Sequence, residues 1–450
     1  MSEEQATTGS ADSLQPTPRV GRTFRTFPYV LLWWSSLAVI QIFIVGQALL
    51  PPLGQLNFMQ ALLIMTLTAV IFVVLLSLNG EAGLEYGIPF SVQLRPPFGL
   101  RGAKIIEFMR ALPAVVWFGI GSWIAALAMD GILKTLVGFS SPFTTYVYFA
   151  ALQVAQTVLA YRGIRAIKQF STIASIVIGA VLIYILIHTL STYGLHPSAS
   201  WNHASHWDAP FWTGLTGAIG VLAPVMLNIS DITRHVEGTR RSMWLGHLCG
   251  VTPPWFFMLL LGMAVGLALG IWDPVQALMH LSPNPVITVI FLVFILTAQV
   301  MTNLTINILP PALVFMETFK TSWARGVLIT GVLATLSFPW ALMANSDAFF
   351  GFIMYYSAFF APIVGVMLAD YYLIRRRRLD VAALYVGETA SNFWYRNGFN
   401  VAGLISVLVP GVITMLLCRH VAWLVGLPAG FILYSVTARK IIEPAAGACA

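Results

Sequence analysis

The sequence predicts an all-α membrane protein of twelve transmembrane helices, and three observations carry that prediction. Of its 450 residues 58% are hydrophobic and only 9% charged, where soluble domains carry roughly a quarter. Apolar runs near the ~20 residues needed to cross a bilayer recur along the whole chain. Threading these runs alternately across the membrane leaves 22 of the 24 lysines and arginines on the side of the N-terminus, with only Lys134 and Arg419 opposite. That asymmetry marks a cytoplasmic face, and one missed or extra span would scramble it. The expectation is a multi-pass protein of the cell (inner) membrane with both termini cytoplasmic. Its net charge of +7 then faces anionic lipid rather than nucleic acid.

Taken in order, residues 1–26 are polar and rich in Pro, Ser and Thr, without the apolar core and cleavage site of a signal peptide, and read as a flexible cytoplasmic tail. The spans are expected at 28–50, 57–78, 104–132, 142–161, 167–189, 210–231, 243–271, 285–315, 323–340, 346–374, 398–418 and 420–438. Gln41 and Gly46 interrupt the first. GIPFSVQLRPPFGLRGAK, between the second and third, is too polar to cross and is expected at the inner surface. In the third span Trp117 and Gly121 lie one turn apart, an aromatic wall beside an open space, far from the interfacial belts where tryptophan usually anchors. The outer loop 190–209 carries His196, His203 and His206 without tight metal-ligand spacing. In the sixth span Pro224 has no N–H and its ring meets the Gly220 carbonyl, so a helix must kink or break there. Broken backbone at membrane depth serves either packing or a substrate and ion site. Gly262, Gly266 and Gly270 in the seventh span form a smooth face for close helix approach. In the eighth, Gln299, Asn303 and Asn307 share one face, with Thr302 beside them. Such a stripe is either a binding site or interhelical glue.

Several classes are excluded for want of chemistry. Cys249, Cys418 and Cys449 have no C-x-x-C spacing, which argues against a metal site or disulfide framework. No H-E-x-x-H, G-x-S-x-G or Walker A sequence is present, so hydrolytic and nucleotide-driven readings have no motif. No Asp, Glu, Lys or Arg clearly occupies the middle of a span, which favours a neutral, planar cargo over a charged one.

The stretches YGIPFSVQLRPPFGLRGA, WFGIGSW, LNISDITR, the Asn-rich eighth span, LADYYLIRRRRLDVAALY and FWYRNGFN, in this order and spacing, resemble the nucleobase:cation symporter-1 family. Its members transport cytosine, uracil, purines, allantoin and hydantoins. The resemblance implies a leucine-transporter-type fold: five-helix repeats at 27–190 and 205–375 in inverted orientation, two extra helices at 376–438 and a cytoplasmic tail at 439–450, with helices 1 and 6 discontinuous. It also implies a substrate set. Trp117 is placed as the stacking indole, Gln41 and Asn307 as amides contacting the substrate, and Asn303 beside Asn307. Gly121 stands where members have a glutamine, and Leu222 where hydantoin carriers have a second tryptophan. A sodium site would use carbonyls of Leu37, Ile40 and Ala298 and hydroxyls at 301 and 302, of which Met301 has none and Thr302 has one. The implied function is import of a small neutral heterocycle by a monomeric, lipid-embedded carrier that needs no cofactor beyond Na+ or H+ as coupling ion. An uncoupled facilitator or exchanger of the same substrates is the alternative.

Overall fold

A computed structural model describes residues 14–446, except 140, 163–180, 195–202, 206 and 387–389. Most of the expected fifth span, together with His196 and His206, lies outside the described residues. The first span is split into α1 (Thr26–Leu37) and α2 (Ile40–Gln47). There follow α3 (Phe58–Tyr86), α4 (Leu100–Val137), α5 (Thr144–Arg162), α6 (Ala209–Leu227) and α7 (Arg240–Leu269). The second half continues with α8 (Pro285–Thr302), α9 (Leu309–Thr318), α10 (Trp323–Leu336), α11 (Ser346–Leu368), α12 (Val401–Leu417) and α13 (Ala422–Ala446). Among the described residues, seven helices are long and apolar enough to cross a membrane, or eight when the bent pair α1–α2 counts as one span. Val181–Tyr193, α10 and α12 are shorter apolar helices at expected spans. Twelve spans thus stay an expectation.

Both predicted discontinuities need correcting in place. The first span bends by 59° between α1 and α2, but across Ala38 and Val39, ahead of Gln41 and Gly46. The sixth does not break at Gly220 or Pro224: α6 runs through the proline to Leu227, and the chain leaves it at Asn228 before one turn at Ser230–Thr233. The carbonyl that Pro224 cannot serve is supplied from outside, because the Tyr356 hydroxyl of α11 donates to Gly220 O at 2.7 Å. Farther on, Asn79 Nδ2 donates to the terminal carbonyls of Met226 at 2.7 Å and Leu227 at 3.0 Å. Every backbone group freed at membrane depth must find such a partner.

Glycines on α7 dock the split first span backbone to backbone. A Cβ on Gly262 would lie 2.1 Å from Phe43 O, and one on Gly266 2.7 Å from Gln47 O. A second pair, Gly246 and Gly250, instead leaves room for the side chains of Tyr29 and Trp33 of α1. Gly270 does not continue the smooth face; it ends α7 with φ +64, a left-handed cap that glycine adopts without strain.

The loop between α3 and α4 folds as two short helices, Phe90–Gln93 and Arg95–Phe98, buried against the end of α6. Phe90 N–H donates to Asp231 Oδ1 at 2.9 Å, Gln93 Nε2 to Asn79 O at 3.0 Å, and Ser230 Oγ to Gln93 Oε1. The basic run after α11 closes the same end. Arg375 pairs with buried Asp370 at 2.8 Å, and Arg240 and Arg377 flank buried Glu81 at 3.2 and 3.6 Å. The described end of the N-terminal tail is tied down as well, with the Arg22 guanidinium buried and donating to Leu84 O at 2.5 Å.

Candidate functional site

Gln41 stands in the first turn of α2, just past the break, so its side chain projects where the first span has no continuous helix surface. Its Nε2 donates to Gln299 Oε1 at 2.9 Å, joining α2 to the end of α8. Its own Oε1 is buried with no hydrogen-bond partner. A sealed, unsatisfied carbonyl costs about 1–3 kcal/mol, a penalty that a ligand donor would remove.

Trp117 comes from the middle of α4, where its indole meets the edges of Phe349 and Phe352 of α11 at centroid distances of 5.8 and 5.5 Å. The open space expected beside it at Gly121 is filled. A Cβ on Gly121 would lie 2.5 Å from Asn303 Oδ1, so the missing glutamine side chain is replaced by an amide arriving from the eighth span. Leu222 is buried in the same apolar core as Trp117.

The eighth span is not one regular helix. Residues Asn303–Asn307 form a π turn in which Ile308 N bonds back five residues to Asn303 O at 2.9 Å. Such one-residue insertions concentrate at functional sites. Pro310 and Pro311 follow immediately, and neither can donate to the carbonyls of Ile306 and Asn307. That pair was the available sequence signal for the register change. The expected amide stripe is present but divides its labour. Gln299 meets Gln41. Asn303 is turned inward, donating through Nδ2 to Phe118 O, Ser122 Oγ and Gln156 Oε1 at 3.1–3.2 Å. Asn307 Nδ2 donates to Asn303 Oδ1 at 3.0 Å. Ser122, Gln153 and Gln156, which complete this network, were not singled out from sequence. Gln153 and Gln156 stand three residues apart on α5, a polar stripe that could have been read there.

The residues named for a cation lie on the elements on either side of the break and on α8: Leu37 ends α1, Ile40 begins α2, and Ala298, Met301 and Thr302 are in α8. The break leaves the last carbonyls of α1, Leu37 among them, without a following helical turn. The Gln41–Gln299 bond holds the start of α2 against α8, where Ala298 precedes Gln299 and Met301 and Thr302 are half-buried. The donor chemistry on offer is carbonyl and hydroxyl oxygen plus one soft thioether, so it suits a hard monovalent cation only in part.

Below this cluster a cavity of about 250 Å³ opens between the ends of α4, α6 and α9, lined by Glu107, Arg110, Asn228, Asp231 and Glu317. Arg110 is 4% exposed, and its Nε and Nη1 have no hydrogen-bond partner. It precedes Trp117 by seven residues, or about 10 Å along the helix. The cavity lies at the end of the bundle that holds the basic residues.

The sequence profile of the permeases for cytosine/purines, uracil, thiamine and allantoin matches residues 16–433. The allantoin permease of Bacillus subtilis (strain 168) is 27% identical, over 97% of this chain and 95% of its own length. The hydantoin permease of Microbacterium maritypicum is 26% identical, over 95% and 88%. Among solved structures, the inward facing conformation of Mhp1 superposes with a TM-score of 0.86 at 26% identity, covering 96% of this chain and 94% of that one. The chain is therefore a multi-pass membrane transporter and not an enzyme, and it belongs to the family of permeases for cytosine/purines, uracil, thiamine and allantoin.

Proposed function

We propose that this permease imports a small neutral heterocycle, nucleobase-like or allantoin- and hydantoin-like, by alternating access between two inverted five-helix repeats, with both termini in the cytoplasm. The observation that carries the reading is the cluster of Trp117, Gln41 and Asn307 beside a broken helix. An aromatic face and amide groups, with no charge among them, suit a flat uncharged ring. Trp117 would stack on the ring, Gln41 and Asn307 would bond its edge, and Asn303 would take the space left by Gly121. Leu222 would supply an aliphatic wall. Arg110 and the cavity beneath would form the exit toward the cytoplasm.

Coupling to a cation belongs to the same proposal. Carbonyls of Leu37, Ile40 and Ala298 and the Thr302 hydroxyl would hold sodium, with Met301 in place of a fifth oxygen. Sodium dependence is accordingly expected to be weak or absent, with proton coupling or uncoupled exchange as the alternatives. Uptake of radiolabelled heterocycles into proteoliposomes, with and without sodium and pH gradients, tests the whole reading. Trp117→Ala should abolish uptake in a folded protein, since stacking on an aromatic face contributes about 1–3 kcal/mol. Wild-type uptake in that variant would refute the site. A steep response to low-millimolar sodium would refute the coupling expectation; without one, Met301→Ser should create a sodium response.

A further inference from the structure

Arg419 is out of place in a membrane protein whose basic residues gather at one end. It stands in the turn between α12 and α13, at the opposite end of the bundle, two residues past Leu417. Leu416 and Leu417 are 70% and 77% exposed, so the turn sits among side chains that face lipid. The Arg419 side chain is exposed too, and no carboxylate among the described residues pairs with it. A guanidinium in such surroundings is costly unless it reaches an anion or the interface. What holds it is Tyr355 of α11. Arg419 Nη1 donates to the tyrosine hydroxyl at 2.9 Å, and the guanidinium carbon lies 5.1 Å from the ring centroid. These contacts fix its position without neutralising its charge.

Tyr355 also lines a groove of about 280 Å³ that opens to the outside of the bundle. Pro113 and Val116 of α4 form the floor, Leu333 of α10 one wall, and Phe352, Tyr355 and Tyr356 of α11 the other. Both α10 and α11 pack on α4, so the groove is a cleft between two helices seated on a third. Its lining is apolar, because the two tyrosine hydroxyls are engaged elsewhere, Tyr355 with Arg419 and Tyr356 with Gly220 O. A polar occupant finds nothing to bond there. A flexible alkyl chain finds dispersion contacts that an empty trough forfeits. The charge at the end of the bundle and the apolar floor deeper along α4, next to Trp117, follow the order of a lipid's own head and tail.

We propose that this groove is a lipid seat, in which an acyl chain lies on Pro113 and Val116 while Arg419, held by Tyr355, takes the phosphate of an anionic glycerophospholipid. The anionic head follows from charge. A phosphate with no ammonium of its own leaves Arg419 as its counter-ion, whereas an ethanolamine head supplies an internal one. The chain would lie directly behind Phe352, whose ring meets Trp117 at 5.5 Å and Tyr356 at 5.1 Å, so it would buttress that aromatic cluster from the lipid side.

The test uses the full-length protein in nanodiscs containing phosphatidylglycerol, or phosphatidylethanolamine with the same chains, each carrying a photoactivatable diazirine on one acyl chain. After irradiation the adducts are mapped by peptide mass spectrometry. Phosphatidylglycerol adducts should concentrate on the segments of α4, α10 and α11 that line the groove, about fivefold above the ethanolamine lipid, the size of one arginine–headgroup contact. Arg419→Gln should bring the two lipids to parity, and Arg419→Lys, which keeps the charge, should retain about half of the preference or more. Leu333→Trp, which fills the groove from its exposed wall, should remove the groove adducts and leave labelling elsewhere unchanged. Equal labelling by the two lipids in wild type overturns the phosphate assignment, as does a preference that survives in Arg419→Gln. Adducts spread evenly over the exposed helices overturn the seat. Groove segments free of lipid adducts in nanodiscs that hold two copies of the chain would give the groove to a second copy and overturn the proposal as well. If Arg419→Gln does not fold, the wild-type map and Arg419→Lys decide, because parity in the lysine variant contradicts the charge argument too.

Discussion

The first and sixth spans, which the proposed repeat would pair, treat their backbones in opposite ways. The first breaks at Ala38–Val39, where there is neither proline nor glycine. The sixth carries Pro224 and runs on for another three residues. The difference lies in what surrounds each. Around α1–α2, the glycine pairs of α7 hold two separate pieces at close range, with Pro253 and Pro254 between those pairs in sequence. Tyr29 Oη bonds His247 Nε2 at 2.6 Å on one piece, and Gln41 reaches Gln299 on the other. Around α6, Tyr356 and Asn79 supply the hydrogen bonds that the proline and the helix end lack. Here the carbonyl freed by Pro224 is satisfied by a neighbour and the helix runs on, whereas the first span, with no helix breaker at its bend, is docked as two pieces.

The largest effect should come from Gly262→Leu. The new side chain meets Phe43 O at 2.1 Å and must drive α2 away from α7, at a cost of about 3 kcal/mol for overpacking. Thermal unfolding in detergent reads it, with Gly351→Ala, where nothing lies within 4 Å, as the neutral control. Equal stability of the two variants would show that α2 is not clamped. Next comes Tyr356→Phe, which orphans Gly220 O and should cost about 2 kcal/mol. In a Pro224→Ala background the restored N–H makes the hydroxyl redundant, so the same change should cost about 0.5 kcal/mol or less; the two changes are coupled, not additive. An identical cost in both backgrounds would separate the tyrosine from the proline. Asn79→Leu, which orphans the Met226 and Leu227 carbonyls together, should cost a similar amount, about 2 kcal/mol. Its signature is faster hydrogen exchange confined to the end of α6. Last is Gln299→Leu, where one interhelical hydrogen bond averages about 0.6 kcal/mol in membranes. Stability should barely move while substrate affinity falls, and a fall in stability alone would make the Gln41–Gln299 bond structural glue.

The candidate site was legible in part for the same reason. Trp117, Asn303 and Asn307 could be singled out because depth in a span and spacing on a helix are properties of the chain itself. That Asn303 turns toward α4 and α5 and fills the space at Gly121 could not be read, since it depends on α5 supplying Gln156 and on the π turn re-aiming the eighth span. Arg110 was counted only as a topological charge. The burial of its Nε and Nη1 without a hydrogen-bond partner follows from how α4, α6 and α9 converge.

By itself the sequence determined that this protein lives in a membrane as helices, which face of it is basic, and which family it belongs to, because hydropathy, charge asymmetry and ordered motifs are local and additive along the chain. Only the tertiary structure decided where the backbone breaks, which amide bonds which, and which hydrogen-bonding groups are left over for a ligand. Those outcomes turn on whether a carbonyl or N–H freed in one helix finds its partner on another, and in a medium without water that partner can come only from a neighbour in the fold.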